Sequence, residues 1–268
     1  MDFLDKLQSR RSSTGAVLCV GLDPDMSKLP EACRKSSQPL YEFCIAIVNA
    51  TRSVACAYKP NLAFFEAHGS SGIAQLERLM AEIPSDIPTI LDGKRGDIGN
   101  TSRLYAQFLF EHLHGDSATV NPYLGRDALE PFFEFPGRVP FVLCLTSNPG
   151  SVDIQTVVTS ESTERVYHRV IHLLKRMPGP FGLVVGARHA SLIEDVRLHA
   201  PHVPLLIPGV GAQGGDLEAT LHASAMNGAP ALINVSRDIL YASSSDDFAL
   251  AAGNKAREYV DAMRAGLA

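Results

Sequence analysis

Apolar residues along this chain come mostly in short unbroken runs, and each run is followed by a stretch in which apolar positions return every three or four residues. The runs predict strands: "AVLCVGLD" (16–23), "VACAYKPNLAFF" (54–65), "PTILDGK" (88–94) and "ATVNPY" (118–123) in the first half. "VPFVLCLTS" (139–147), "FGLVVGA" (181–187), "VPLLIPGVG" (203–211) and "ALINVS" (231–236) follow in the second. Helical spacing predicts helices over 40–55, 71–83, 100–113, 162–177, 191–199, 214–227 and 247–265. Strands that are apolar throughout are expected where both faces are covered. Strands alternating with helices predict a parallel sheet. Eight such units point to a closed (β/α)8 TIM barrel of the α/β class more than to an open doubly wound sheet. No Pro/Ser-rich linker or charge block divides the chain, so residues 1–268 are expected to form one domain.

In such a barrel the chemistry sits where the strands end, at the C-terminal face. The polar residues fall there. The first run stops at Asp23, the second carries Lys59 and Asn61, and the third ends in "LDGKRGD", with Asp92, Lys94 and Asp97. The fourth reaches Asn121, the fifth Thr146, Ser147 and Asn148, and the eighth Ser236, Arg237 and Asp238. Asp92 and Lys94 are two apart and share one side of a strand. With Lys59 from the neighbouring strand and Asp97 beyond, two ammonium groups face two carboxylates, and each keeps its partner charged. A fixed carboxylate disfavours a second negative charge beside it, and an adjacent ammonium can protonate the carbon left behind. The alternative is a buried ion-pair network with a purely structural role.

A second cluster is "LIPGVGAQGGD" (206–216) with Arg237. Barrels often bind phosphate between the loops after strands seven and eight. Pro208 begins the loop, Gly209, Gly211, Gly214 and Gly215 allow close backbone approach, and Gln213 and Arg237 can donate hydrogen bonds. A tight turn with a surface arginine is the plainer reading. A third cluster, "CLTSNPGS" (144–151), offers hydroxyls and an amide that either recognise a ring edge or cap the next element. Glu66 is either a ligand or a carboxylate placed for a helix dipole.

Composition narrows the classes. The chain has 46% hydrophobic residues and a net charge of −5, which removes the simplest case for a nucleic-acid partner. No apolar run approaches a membrane span, and "MDFLDKLQSRRSS" lacks the apolar core of a secretory signal. The five cysteines are odd in number and form no CxxC pair, so they read as small core residues of a reducing, cytoplasmic compartment. The nine histidines are read as scattered, in no HxxxH or HExxH arrangement, and are expected to be surface or satisfied core residues, and no metal site is expected.

With these residues in place, the chain resembles the orotidine 5'-phosphate decarboxylase family along essentially its whole length. The resemblance runs from "GLDPD" (21–25) through "YKPNLAFFE" (58–66), "DGKRGDIGNT" (92–101), "TVNPYLGRD" (119–127), "TSNPG" (146–150) and "PGVGAQGGD" (208–216) to "VSRDI" (235–239). It implies a homodimeric barrel that converts the nucleotide orotidine 5'-phosphate to uridine monophosphate in pyrimidine biosynthesis, without metal or cofactor. It implies that Lys59, Asp92, Lys94 and Asp97 are the catalytic array, with Lys94 protonating C6 and Asp92 crowding the departing carboxylate. Asp97 and Thr101 would reach into the partner subunit's site. Asp23 and Lys59 would hold the ribose, Ser147 the pyrimidine, and Gln213 and Arg237, with Pro208 and Gly214 in the loop, the phosphate.

The resemblance leaves room for a longer chain fused to orotate phosphoribosyltransferase, and for an organelle such as the glycosome in that case. Gly93 and "VVGARHA" (184–190) depart from the family pattern and are expected to alter packing or the rim. Two alternatives stand beside this reading. One is a magnesium-dependent sugar-phosphate enzyme of the same barrel type, such as hexulose-phosphate synthase or keto-gulonate-phosphate decarboxylase. The other is a non-catalytic phosphate-binding barrel.

Overall fold

All eight predicted runs form strands, and they pair in parallel. In the computed structural model, residues 1–160, 163–187, 190–210 and 216–267 are described. The strands are β1 (Leu18–Leu22), β2 (Ala57–Pro60), β3 (Ile90–Arg95), β4 (Ser117–Val120), β5 (Val139–Leu145), β6 (Gly182–Val185), β7 (Leu205–Pro208) and β8 (Ala231–Val235). Their order in the sheet is β2-β1-β8-β7-β6-β5-β4-β3. Parallel bridges Tyr58↔Thr89 and Asn61↔Asp92 bring β2 against β3, so the sheet closes on itself as a (β/α)8 barrel.

Two separate apolar cores follow from this closure. Outside the barrel, alternate strand residues such as Leu18, Val20, Tyr58 and Leu91 pack with the helices in one large cluster. Inside it, Cys19, Ala57, Ile90, Phe141, Val184, Leu206 and Leu232 form a second, smaller cluster. Along each strand these interior residues share one phase of the period-two repeat, and the same phase turns polar toward the C-terminal end. Ala57 is followed two residues on by Lys59, Ile90 by Asp92, and Leu232 by Asn234. The apolar layer is the floor on which the polar layer stands.

That floor is sealed from below by a helix that the apolar pattern does not predict, Phe3–Thr14. Its apolar stripe is short: of its side chains only Phe3, Leu7 and Thr14 are buried. Phe3 and Leu7 join the barrel-interior cluster, and the Phe3 ring meets that of Phe141 edge-on, with centroids 5.6 Å apart. The Asp2 side chain caps the helix start by accepting from the Asp5 N–H, and Gly15 at φ +63° ends it in the left-handed conformation. Lys6 then ties the helix to Asp116 at 2.7 Å.

Elsewhere the predicted helices are present with shifted bounds: 71–83 and 191–199 come out slightly longer, as Gly69–Glu82 and Ala190–His199, and others shorter. The run 162–177 yields Val166–Leu174, and 214–227 yields Leu217–Ser224, capped by Asp216. All five cysteines are buried and free. Among the described residues no helix is long and apolar enough to cross a membrane.

Truncating the plug should cost stability without touching the site directly. Phe3→Ala is expected to lower the unfolding free energy by about 3–5 kcal/mol, measured by urea denaturation. A loss below about 1 kcal/mol would mean that the helix does not close the floor.

Candidate active site

The mouth of the barrel opens into a cavity of about 480 Å³, with Leu143, Val184 and Leu206 at its base. Asp23, Lys59, Asp92, Lys94, Ser147, Pro208 and Arg237, all expected from the sequence, line it. Gln213 and Gly214 lie outside the described residues. Asp97 and Thr101 do not line this cavity. Asp97 follows β3 and accepts a hydrogen bond from its neighbour's N–H at Ile98, and Thr101 is exposed on the helix Gly99–Gln107.

Asp92 is the hub. Its Oδ2 accepts from Lys59 Nζ at 2.6 Å, and its Oδ1 accepts from Lys94 Nζ at 2.7 Å and from Thr119 Oγ1 at 2.8 Å. Lys59 and Asp92 are buried, whereas half of the Lys94 side chain is exposed. Two apolar strands have thus placed an ion pair inside the barrel, which is costly unless both charges are compensated. Burial by itself raises the Asp92 pKa, but the Lys59 and Lys94 charges and hydrogen bonds outweigh it and hold the carboxyl well below its ordinary value. Burial lowers Lys59, and Asp92 and then Asp23 outweigh it, so its ammonium is held above the ordinary lysine value.

Lys94 reaches the hub by an irregular route. The sequence places Asp92 and Lys94 on one side of a regular strand, but the β3–β4 pairing slips between Leu91 and Arg95. Lys94 sits at φ +46°, in the left-handed region that costs a non-glycine residue roughly 1–2 kcal/mol. Its N–H donates to Thr119 Oγ1 at 2.9 Å, the same hydroxyl that donates to Asp92. A strained lysine held at the end of a bulge by the hub's own partner is a feature of a working site. An alanine Cβ at Gly93 would come within 3.2 Å of Arg95 Nε and 3.3 Å of Leu62 Cδ2, so this departure from the family pattern bears on packing.

Three polar lining residues escaped the sequence reading: Thr119, Asn234 and Gln155. The first two lie within strands, two residues before the strand-end residues Asn121 and Ser236, so a polar residue on the inward phase was the available signal. Gln155 lies after β5 and folds back. Its Oε1 accepts from the Thr146 N–H at 2.7 Å and its Nε2 donates to Thr146 Oγ1 at 2.8 Å, which shapes the loop carrying Ser147. Asn234 Oδ1 and Asp23 Oδ1 are buried without a hydrogen-bond partner among the described residues. Two buried acceptors at the wall of a cavity call for donors from a ligand.

Two glycines make the wall possible. A Cβ on Gly21 would stand 1.8 Å from Ser236 Oγ, and one on Gly186 would stand 2.6 Å from the Ser147 nitrogen. The β1 loop is fastened across the mouth by Tyr241, whose hydroxyl donates to the Asp23 carbonyl and accepts from the Asp25 N–H, both at 2.8 Å.

A Lys-Asp-Lys hub and polar strand ends around one cavity accompany clear likeness to known proteins. The model of the "Orotidine 5'-phosphate decarboxylase / HUMPS family" matches residues 16–251. The chain belongs to this family. Orotidine 5'-phosphate decarboxylase of Roseiflexus castenholzii is 47% identical over 271 residues, covering all of this chain and 99% of that protein. Among solved structures, the Leishmania donovani OMP decarboxylase superposes with a TM-score of 0.81 at 38% identity, covering 98% of this chain and 99% of that one. The Leishmania donovani UMP synthase gives a TM-score of 0.85 at 39% identity, covering 98% of this chain and 57% of that longer chain.

Two expectations need correction within this family frame. Glu66 is neither a cavity ligand nor at a helix start: it ends the helix Leu62–Glu66 and pairs with Arg95. The histidines are not all scattered. His168 and His172 stand four apart in "HRVIH" on one helix.

The depressed Asp92 carboxyl has a signature in acid. An unfolded chain binds this proton near pH 3.8, the folded one only at lower pH, so Asp92 adds stability above pH 3.8 that is lost as pH falls. Asp92→Asn is expected to flatten the dependence of unfolding free energy on pH between about pH 2 and 4 by up to about 1.4 kcal/mol per pH unit. Equal slopes in urea titrations of both proteins would show that Asp92 is not held ionised by its neighbours.

Proposed function

We propose that this chain decarboxylates orotidine 5'-phosphate to uridine 5'-phosphate in pyrimidine biosynthesis, using the Asp92-centred array. The observation that carries the reading is a carboxylate enclosed by two ammonium groups at 2.6 and 2.7 Å on the floor of the cavity, in a chain of this family. The nucleotide's phosphate lies against Arg237 and the backbone after Pro208. Ribose hydroxyls donate to the acceptors of Asp23 and Asn234, with Lys59 alongside. Ser147 meets the pyrimidine edge.

The substrate carboxylate then faces Asp92, which its two cations keep charged, so the ground state carries like-charge repulsion at the bond that must break. As the C6–carboxyl bond cleaves, its electron pair stays on C6 and carbon dioxide departs. The Lys94 ammonium, half exposed and aimed from the hub, delivers its proton to that carbon and is reprotonated from solvent. Proton transfer from a positioned group is worth about 10²–10⁴ in rate, and the electrostatic stress on the ground state adds to it.

The magnesium-dependent sugar-phosphate alternative fits the hub poorly. Both Asp92 oxygens are taken, Oδ2 by Lys59 and Oδ1 by Lys94 and Thr119, and a lysine ammonium stands where a metal would need a ligand. A passive phosphate-binding barrel leaves the strained Lys94 without a purpose.

We assign Asp97 and Thr101 to the site of a second copy of the chain, which completes a homodimer. Both lie outside the cavity, Asp97 half-buried and Thr101 exposed, and large apolar side chains on the same stretch of chain are open: Ile98 is 60% exposed and Leu104 57%. Such a patch is expected to be covered. We read residues 1–268 as one decarboxylase domain of the cytoplasm, and the match to part of a UMP synthase makes fusion to orotate phosphoribosyltransferase a natural arrangement in longer relatives.

Turnover is followed as the absorbance lost when orotidine 5'-phosphate is consumed with excess chelator present. Wild-type activity is expected to be unaffected, and Lys94→Ala to lose about 10³-fold or more in kcat. A folded wild type without turnover, or full dependence on added magnesium, would overturn the reading. The shared site has its own test. Equal mixtures of Lys94→Ala and Asp97→Ala chains, each inactive alone, should recover about a quarter of wild-type activity, since half the dimers are hybrids with one intact site of two. No recovery after subunit exchange would place both residues in the same chain's site.

A further inference from the structure

On the outer face of the barrel, away from the cavity, the helices Val166–Leu174 and Ala190–His199 each carry a pair of ligand-type side chains one turn apart. His168 and His172 are four apart on the first, and Asp195 and His199 are four apart on the second. Residues at i and i+4 share a helix face, and here the two faces meet. His168 Nε2 lies 2.6 Å from Asp195 Oδ2, and Asp195 Oδ1 lies 3.9 Å from His199 Nδ1. The His168 and His199 rings stack with centroids 4.2 Å apart, and the His172 ring is 6.3 Å from that of His199. One ligand atom from each of His168, Asp195 and His199 falls within 4.8 Å of the others.

We propose that His168, Asp195 and His199 form a site for a borderline divalent transition metal ion of the zinc class, clamping these two helices together. His172, one turn along and now against Glu164 at 3.3 Å, stands outside that group, so water takes the fourth position. Two imidazoles and a carboxylate are the donor set that zinc, cobalt and nickel share, and bond lengths near 2.0–2.2 Å require side-chain shifts of only about 1 Å.

The protonation pattern suits an exchange of proton for metal. The Arg165 backbone N–H donates to His168 Nδ1 at 3.3 Å, so Nδ1 carries the lone pair and Nε2 carries the proton aimed at Asp195. A metal ion entering between Nε2 and the carboxylate displaces that proton, while His199, whose Nδ1 donates to the Asp195 backbone carbonyl at 2.9 Å, has its lone pair on Nε2 for the ion. Tyr167 Oη donates to Asp195 Oδ2 at 2.6 Å and fixes its orientation, as outer-shell partners of metal ligands commonly do.

The site serves the fold from outside. The two helices follow β5 and β6, and the loop after β5 carries Ser147, Asn148 and Gln155 to the cavity. None of the three ligands lines that cavity, so the clamp is independent of the chemistry proposed above.

Titration of the metal-free protein with cobalt(II) chloride should produce the visible absorption of a four-coordinate site at one equivalent per chain, removed by zinc chloride. Zinc at about a hundredfold excess over its Kd should raise the Tm by about 5 to 10 °C. His199→Ala and His168→Gln should each weaken cobalt binding at least tenfold while leaving metal-free decarboxylase turnover unchanged, and Lys94→Ala should bind cobalt as wild type does. Absence of a visible band together with an unmoved Tm would overturn the proposal. So would a zinc response of full size in the His168→Gln/His199→Ala double variant, which would place the metal elsewhere.

Discussion

The structure turns on one buried carboxylate. Asp92 is tolerated inside an apolar barrel because Lys59, Lys94 and Thr119 saturate its oxygens, and those partners come from its own strand and from the strands on either side of it in the closed sheet. β2 supplies one, β3 the second and β4 the third. The β2–β3 closure is therefore more than a matter of topology, since the Asn61↔Asp92 bridge sets the hub beside Lys59. Beneath it, the interior layer from Cys19 to Leu232 and the Phe3–Leu7 plug keep water from reaching the pair from below. Removing water is what makes the charges strong enough to matter chemically.

The same array explains why the site tolerates strain. A left-handed Lys94 and a slipped β3–β4 register cost free energy that a regular strand would save. In return Lys94 Nζ reaches the hub while half its side chain stays open to the cavity. A lysine on an undistorted strand would be as buried as Lys59 and unable to meet a substrate atom. Asp23 Oδ1 and Asn234 Oδ1, buried without a partner among the described residues, stand in the wall of the same cavity.

Around this rigid centre the walls are joined over long sequence distances. Tyr241 fastens the β1 loop, Gln155 folds the β5 loop onto Thr146, and Gly21 and Gly186 let neighbouring strand ends close up. The outer helices carry their own polar cluster at His168, Asp195 and His199, whose partners lie on a different layer from the cavity. Chemistry at the mouth and attachment at the periphery are thus separable features of one barrel.

The sequence by itself determined the barrel and the identity of its charged strand ends. Unbroken apolar runs and turn residues are local properties, and eight such runs in alternation with helical spacing admit few other folds. "DGKRGD" and Lys59 were legible because charges are rare at the end of an apolar run. Tertiary structure decided what depends on contacts between distant residues. The helix Phe3–Thr14 has only a narrow apolar stripe and becomes a plug because the barrel floor receives Phe3 and Leu7. Thr119 and Asn234 look like ordinary strand residues until closure turns their phase inward beside Asp92 and Asp23. Lys94's left-handed turn depends on Thr119, which is 25 residues away. His168 and His199 are far apart along the chain, and only the packing of two helices brings their rings together.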